Sequence, residues 1–340
     1  MHLGCLLPFP DMRKIKHRKN GDVVMNDIEI KCGDSPLERG GVLKDDIIRG
    51  RRVGNPDGKT IMILGGISAD RFVADGGRYG RGWWGQIAHK GGPVDLDRFN
   101  VIGYDFGPNL DAQCDLSPVT TRDQAARVAK LLDEMKIDSL DGFIGSSYGG
   151  MCGLALAQHY PERLKNLCVI SGAHRPFPIG VAWRGIQRRI VRLAIEAGTP
   201  EKGLKLAREL AMTTYRTPVE FAHRFDLEET SSNPALFDIC DYLGARGDVF
   251  ANITDAKRFL VMSESIDLHR IEPEKITTPT LLMMAISDQI APLPEMRELC
   301  DRLGGPSELF TFTSLFGHDA FLKEYDAIGP EITKFCERLD

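Results

Sequence analysis

The hydrophobic positions of the chain fall into two kinds of run. The first is short, continuous and apolar: "KTIMILGG" (59–66), "FNVIGYDF" (99–106), "LDGFIGS" (140–146), "LKNLCVISG" (164–172) and "TPTLLMMAIS" (278–287). Runs without polar alternation are what strands buried on both faces require, as in a parallel sheet covered by helices. The second kind carries the helical period. Residues 120–135 open on Thr120-Thr121-Arg122-Asp123 and place apolar side chains at 125, 128, 131, 132 and 135; residues 151–159 end at Tyr160-Pro161. Strands and helices alternate, which predicts an α/β fold: a mostly parallel central sheet, helices on both faces and right-handed crossovers.

The alternation breaks between about 175 and 273. Helical patterns at 181–197, 201–214, 234–245 and 254–263 fill that interval, and the strand pattern resumes at Ile276. A helical block set into a sheet protein reads as a lid. The expected division is a core of 40–174 and 274–340, a helical lid insertion over 175–273, and a partly irregular N-terminal segment over 1–39. The sheet is expected to finish with a strand at 279–287, a helix near 292–303, a strand near 307–313 and a last helix from about 319.

Composition narrows the classes. A chain of 340 residues, 42% apolar and 27% charged, has the balance of a globular protein with a large core. Its net charge of −5 argues against a nucleic-acid binder, which carries a basic excess. The basic cluster Arg13–Lys19 reads as solvated. The cluster Arg184–Arg192 alternates with Trp183, Ile186, Ile190 and Leu193 and reads as the wet face of an amphipathic helix. The eight cysteines show neither CxxC nor zinc spacing, so they read as reduced, buried small hydrophobes in a cytoplasmic protein. The opening "MHLGCLLPFP" has no basic region before its apolar stretch and does not read as a signal peptide. No run reaches the length of a membrane span. No metal or tightly held cofactor is expected.

The candidate chemistry begins at Gly145-Ser146-Ser147-Tyr148-Gly149, a G-x-S-x-G pattern centred on Ser147. In a chain with 35 glycines the pattern alone is weak; the apolar strand before it and the Ala/Leu-rich helix after it are what a nucleophile elbow demands. The turn is so tight that side chains two before and two after the serine would collide with neighbouring elements. Ser146 fails this register, because its own flanking positions are Ile144 and Tyr148.

A serine hydroxyl needs a base. In an elbow of this kind the partners follow in the order serine, acid, histidine. His318, in "SLFGHDAFL", lies between the last strand and the last helix. His159 and His223 lie on helical patterns, and His174 precedes the helical block. Asp288 stands at the carboxyl end of "TPTLLMMAISDQIAP", where it would fix the imidazole tautomer; Asp267 and Asp326 are poorer substitutes. An oxyanion hole needs two preorganised amides. Tyr148, just after the nucleophile, offers one, and Ile67 in "LGGISAD" offers the other.

Two further motifs, "GLKLARELAMTTYRT" (203–217) and "GHDAFL" (317–322), together with the elbow, resemble the homoserine O-acyltransferase family of the α/β-hydrolase fold over roughly residues 40–338. The resemblance implies acyl transfer from acyl-CoA, as a co-substrate, to homoserine. It also implies that Arg208 and Tyr215 contact homoserine, that Asp319 holds its amine, and that the chain is a homodimer through the lid helices. The residue types fit unaided. Arg208 and Tyr215 are seven apart and share a helix face, a guanidinium grips a carboxylate bidentately, and an aspartate beside the base suits an ammonium.

The chain departs from the acetyltransferase pattern after "YDFGPN", where a Gly-rich segment is replaced by "LDAQCDLSPVTTRDQ". "SGAHRPFPIGVAWRGIQRR", "TYRTPVEFAHRFD" and "SESIDLHRIEP" resemble the compact subgroup assigned as homoserine O-succinyltransferases. Succinyl transfer needs a site for a second carboxylate, for which Arg71, Arg78, Arg81 and Arg175 are candidates on the rim. The competing expectations are an acetyl donor, L-serine as acceptor, a small-ester serine hydrolase, and a binding protein without activity.

Overall fold

The sheet opens with a long antiparallel hairpin, β1 (Val24–Pro36) and β2 (Val42–Gly54), followed by β3 (Lys59–Leu64). The computed structural model describes residues 24–76, 80–109, 116–232 and 234–339. Two short strands, β4 (Ala88–His89) and β5 (Val94–Asp95), pair within the connection to β6 (Phe99–Tyr104). Then come α1 (Thr121–Glu134), β7 (Gly142–Ser146), α2 (Tyr148–His159) and β8 (Leu167–Ile170). The sheet order is β1-β2-β6-β3-β7-β8, continued by β11 (Thr280–Ala285) and β12 (Ser307–Phe312). From β6 to β12 every pairing is parallel; only β1 and β2 run against their neighbours.

The continuous apolar runs become strands in which every residue of β6, β7, β8 and β11 is buried. Alternate side chains feed two cores. Met62 and Leu64 of β3 join Val128, Leu132 and Leu154 of α1 and α2 on one face. Ile61 and Ile63 join Trp84 and the last helix, α9 (Tyr325–Glu337), on the other. Helices therefore cover both faces of the sheet, as the pattern predicts. A capping box starts α1. The Thr120 hydroxyl accepts from the Asp123 amide (3.2 Å) while the Asp123 carboxylate accepts from the Thr120 amide (2.8 Å), so two donors left over at the helix start are satisfied.

Between β8 and β11 lie α3 (Pro178–Glu196), α4 (Pro200–Tyr215), α5 (Pro218–Arg224), a small hairpin of β9 (Glu229–Ser232) and β10 (Ala235–Phe237), α6 (Asp238–Ala251) and α7 (Ala256–Leu268). After β11 come α8 (Leu293–Arg302), β12, a 3-10 turn over Gly317–Leu322, and α9.

Several expectations need correction. The segment before residue 40, read as partly irregular, holds β1 from Val24 onward; residues 1–23, with the Arg13–Lys19 cluster, lie outside the described residues. In β1, Ile28, Ile30 and Cys32 pack on the core while Asp27, Glu29 and Lys31 face out. A strand buried on one face alternates with period two and makes no continuous apolar run. The helix expected from 234 begins at Asp238, and the one expected from about 319 begins at Tyr325, because 3-10 geometry occupies 317–322. Cys240 is exposed rather than buried, and Cys5 and Cys114 lie outside the described residues. The buried stripe of α3 is Gly180, Arg184, Gln187 and Val191, so Arg184 is not on a wet face; Ile186 and Leu193 are the exposed ones.

Candidate active site

Ser147 joins the end of β7 to the start of α2 at φ 53°, ψ −118°. A non-glycine residue in that region stores about 1–3 kcal/mol of strain, held by its surroundings. Here the Ser147 amide donates to the Ile170 carbonyl (2.8 Å) and the Gly149 amide to the Gly65 carbonyl (3.0 Å). The glycines are dictated by backbone contacts. A Cβ at Gly145 would stand 2.4 Å from the Gly149 carbonyl oxygen, and one at Gly149 would stand 2.3 Å from that of Leu64.

The Ser147 Oγ lies 2.8 Å from His318 Nε2. His318 sits in the 3-10 turn that follows β12, and its Nδ1 is 2.8 Å from Asp288 Oδ2. Asp288 lies just past the end of β11, where its other oxygen accepts from the amides of Ile290 (2.8 Å) and Ala291 (3.0 Å). Those two bonds fix the carboxylate so that Oδ2 faces the imidazole. Both side chains are buried. Burial disfavours the charged imidazolium, but the Asp288 charge and hydrogen bond outweigh it and hold the His318 pKa above its ordinary value. Three side chains separated by as many as 171 positions thus meet at the carboxyl edge of the parallel strands.

Ile67 lies in the loop after β3, and the backbone there comes close to the nucleophile: a Cβ at Gly66 would stand 3.9 Å from that of Ser147. Among the described residues neither the Ile67 nor the Tyr148 amide has a backbone acceptor. The Tyr148 side chain points into the core, where its hydroxyl is 2.6 Å from that of Ser265.

Ser147 and His318 open on a cavity of about 230 Å³, whose walls include Trp183, Arg184, Arg208 and Tyr215. A second cavity of about 610 Å³ adjoins it, shares Ile67, Arg184, Gln187 and Arg208 as walls, and reaches Glu29 and Arg49 on the hairpin. On α4 the Arg208 guanidinium lies over Phe250 (5.2 Å) and Tyr215 (5.8 Å); among the described residues no carboxylate pairs with it. The Tyr215 ring is 6.0 Å from that of His318. Asp319 also lines the cavity, but it is not a free carboxylate: Arg216 Nε donates to its Oδ2 at 2.9 Å and Arg216 also pairs with Glu220 at 3.0 Å. Sequence reading did not single out Arg216, which lies 103 positions from its partner.

The four rim arginines separate. Arg71 is paired with Asp27 (3.2 Å) and Asp105 (2.6 Å), and Arg175 with Glu295 (2.9 Å) and Glu298 (2.6 Å). Arg81 is exposed, and Arg78 lies outside the described residues. The grouping His174, Glu295 and Glu298 has metal-ligand types, but Arg175 already spans its two carboxylates. Arg184, missed from sequence, is buried with its Nε 2.6 Å from Asp267. The available signal was its place, four residues after Gly180 and three before Gln187, on one helix face.

Comparison with known proteins adds to this geometry. A sequence profile described as alpha/beta hydrolase fold matches residues 94–325. The chain is 38% identical to the homoserine O-succinyltransferase of Xanthomonas campestris pv. campestris, over 84% of this chain and 78% of that protein. It is 27% identical to the serine O-succinyltransferase of Xylella fastidiosa, over 89% of this chain and 95% of that one. Among solved structures, homoserine O-acetyltransferase from Bacillus anthracis superposes with a TM-score of 0.83 at 18% identity, covering 92% of this chain and 97% of that chain. At that identity the superposition speaks for the fold alone.

Proposed function

Because the chain belongs to the homoserine O-acyltransferase family of the α/β-hydrolase fold, we propose that it transfers a succinyl group from succinyl-CoA to the hydroxyl of L-homoserine through an acyl-serine on Ser147, a step in methionine biosynthesis. The observation that carries this reading is the Arg208 guanidinium, without a carboxylate partner among the described residues, in the cavity onto which Ser147 opens. A simple ester hydrolase has no use for a cation at the acceptor position.

In the first half-reaction His318 Nε2 takes the Ser147 proton as Oγ attacks the thioester carbonyl. Asp288 holds the ring with Nε2 toward the serine and stabilises the imidazolium that forms. The amides of Ile67 and Tyr148 receive the oxyanion. The thioester C–S bond breaks, the thiolate takes the proton from His318, and free coenzyme A leaves. In the second half-reaction the homoserine hydroxyl gives its proton to His318 and attacks the acyl-serine. The acyl–Oγ bond breaks and Ser147 recovers the proton.

Water is the competing nucleophile. A positioned alcohol reaches an effective molarity of about 10⁵ M or more, so fixing the acceptor is enough to exclude hydrolysis. Arg208 supplies the carboxylate contact and Tyr215 borders it. Asp319 offers its second oxygen to the ammonium while Arg216 holds the first. The helical block over 175–273 acts as the lid that keeps water out. Exposed Ile186, Leu193 and Leu206 on α3 and α4 support a homodimer through these helices. An acyl-CoA donor and buried thiols such as Cys152 and Cys168 support a cytoplasmic setting.

Purified protein given succinyl-CoA or acetyl-CoA, each with homoserine or serine, is expected to release free thiol beyond the single equivalent of the acylation step only when an acceptor is present, fastest with succinyl-CoA and homoserine. Thiol release at the same rate without acceptor would replace the transferase by a hydrolase. Serine is the second reading, favoured by the resemblance to a serine O-succinyltransferase. One methylene is worth only about 1–3 kcal/mol of discrimination, so the two acceptors are compared directly.

A further inference from the structure

We propose that Ser265 is a positioning residue for the oxyanion hole: its hydrogen bond to the Tyr148 phenol ties the amide just after the nucleophile to helix α7; this rests on the acyl-serine reading above.

The group that needs holding is a peptide. Ser147 sits at φ 53°, ψ −118°, so the Tyr148 amide hangs from a strained residue that relaxes unless its surroundings prevent it. The amide has no backbone acceptor of its own among the described residues. Its direction is set at the Tyr148 Cα. The carbonyl side of that atom is fixed because the Gly149 amide donates to the Gly65 carbonyl at 3.0 Å. If Cβ is fixed as well, tetrahedral geometry leaves the amide nitrogen one place, and departing from it costs bond-angle strain. The side chain of Tyr148 is therefore a handle on the amide. Its ring is buried and meets Phe106 edge-on, with centroids 4.9 Å apart, and its hydroxyl lies 2.6 Å from Ser265 Oγ. Burial pushes the phenol pKa well above its ordinary value, so the group stays a neutral hydroxyl that must find a partner. Gln124 lies beside it, but its amide is engaged by the Tyr104 hydroxyl and by the amide and carbonyl of Gly107.

Ser265 is fully buried in the middle of α7, where a hydroxyl commonly folds back on its own helix. Thr213 and Thr214 do so on α4, donating to the Leu210 and Ala211 carbonyls at 2.8 Å each. Ser265 instead reaches across to α2. By helix propensity alone a buried alanine would serve better at that position. The rest of α7 explains what the contact joins. Ser263 and Asp267, four apart, face α3: Arg188 donates to the Ser263 carbonyl (3.0 Å) and hydroxyl (3.1 Å), and Arg184 and Arg188 both pair with Asp267. Ser265 and His269, also four apart, face the core: one meets Tyr148 of α2 and the other Thr121 of α1 (2.7 Å). Between these faces Ile266 walls the cavity onto which Ser147 opens. The helix that borders the cavity is thus bonded to the residue whose amide receives the oxyanion there.

The test compares two inhibitors of one shape, trifluoromethyl butyl ketone and methyl butyl ketone. Ser147 Oγ adds to the carbonyl carbon of the first, its proton passes to His318, and the carbonyl oxygen becomes an oxyanion; the second binds without that step. Ser265→Ala is expected to weaken the trifluoromethyl ketone about 10-fold, less than the roughly 10²- to 10³-fold lost when an oxyanion donor is removed outright. The methyl ketone should bind as before. The acylation burst from 4-nitrophenyl acetate should slow by a similar factor, while KM for homoserine and the acid midpoint of the pH–rate profile stay in place, because Arg208 and Asp288 are untouched. Tyr148→Phe removes the same bond from the other side and should match; the double variant should lose no more than the worse single one. Thr121→Ala frees α7 from the core elsewhere and should lower the urea midpoint without changing the ketone ratio. Should Ser265→Ala fail to fold, Tyr148→Phe decides. The assignment is overturned if the ketone ratio stays constant in folded variants, if both ketones weaken together, if the single losses multiply in the double variant, or if Thr121→Ala moves the ratio as far. Transfer to homoserine with a ketone ratio indifferent to residue 265 leaves the transferase standing and removes this inference. A ratio that depends on Ser265, without transfer to homoserine, does the reverse.

Discussion

His318 Nδ1 stands 2.8 Å from Asp288 Oδ2, and this buried contact sets the protonation of the ring that faces Ser147. The ring accepts the serine proton only when neutral. Burial lowers its pKa, but the charge and hydrogen bond of Asp288 raise it further, to above the ordinary 6.5. The acid limb of kcat/KM is therefore expected to have its midpoint above that value. Asp288→Asn removes the two larger raising influences and leaves burial opposed only by the charge of Asp319. The midpoint should move down, and kcat should fall by about 10⁴-fold. An unchanged midpoint in the pH–rate profile of the variant would assign the limb to another group.

Ser147→Ala is expected to abolish the acyl adduct seen by intact-protein mass spectrometry after mixing with donor. Thiol release should drop about 10⁴- to 10⁶-fold. Persistence of an adduct would mean a different nucleophile.

The elbow glycines make a prediction with a built-in contrast. Gly149→Ala puts a Cβ 2.3 Å from a backbone oxygen that cannot yield, so urea melts should show a loss of at least about 2–3 kcal/mol. A Cβ at Gly185, inside α3, would meet nothing within 4 Å, and Gly185→Ala should instead gain about 0.5–1 kcal/mol. Equal effects at the two sites would show that packing at the elbow is looser than its distances imply.

Arg208→Ala should separate the two half-reactions. With the acceptor carboxylate contact gone, kcat/KM for homoserine is expected to fall about 10- to 100-fold. Single-turnover acylation by the donor should stay close to that of the unaltered protein. An equal fall in acylation would place Arg208 on the donor side.

Acid stability depends on a second buried histidine. His269 is fully buried, with Nδ1 2.7 Å from the Thr121 hydroxyl. Burial presses its pKa down to about 3, with Arg270 and His174 adding to the effect and the Ala173 carbonyl opposing it. The folded value lies below the unfolded one, near 6.5. Its contribution is therefore intact above 6.5 and lost as pH falls through the window from 6.5 to about 3, at up to about 1.4 kcal/mol per unit. Urea melts at neutral and acid pH should show a shallower acid loss for His269→Gln. Parallel losses in the two proteins would point to other groups.

The legible part of this molecule is the part written in local periodicity. Continuous apolar runs marked β3, β6, β7, β8 and β11, because a strand covered on both faces has no polar position to spare. The elbow and Asp288 were legible because each sits just past the carboxyl end of such a strand, and His318 because it lies between the last strand and the last helix, where chain order places the base. The β1–β2 hairpin was not legible by the same search, since one-sided burial spreads its apolar residues over alternate positions.

The amino-acid sequence alone determined the sheet strands buried on both faces, the turn that strains Ser147 and the three side chains that converge there. Tertiary structure alone decided which charges are spent and which are free. By local pattern Arg184 belongs on the outside of an amphipathic helix; α7 packing against α3 buries it and sets Asp267 against it. Asp319 looks like an open carboxylate until Arg216, at the end of α4, closes on it. Hydrogen-bonded periodicity is a property of neighbours along the chain, whereas the pairing of ions depends on which surfaces the fold brings together.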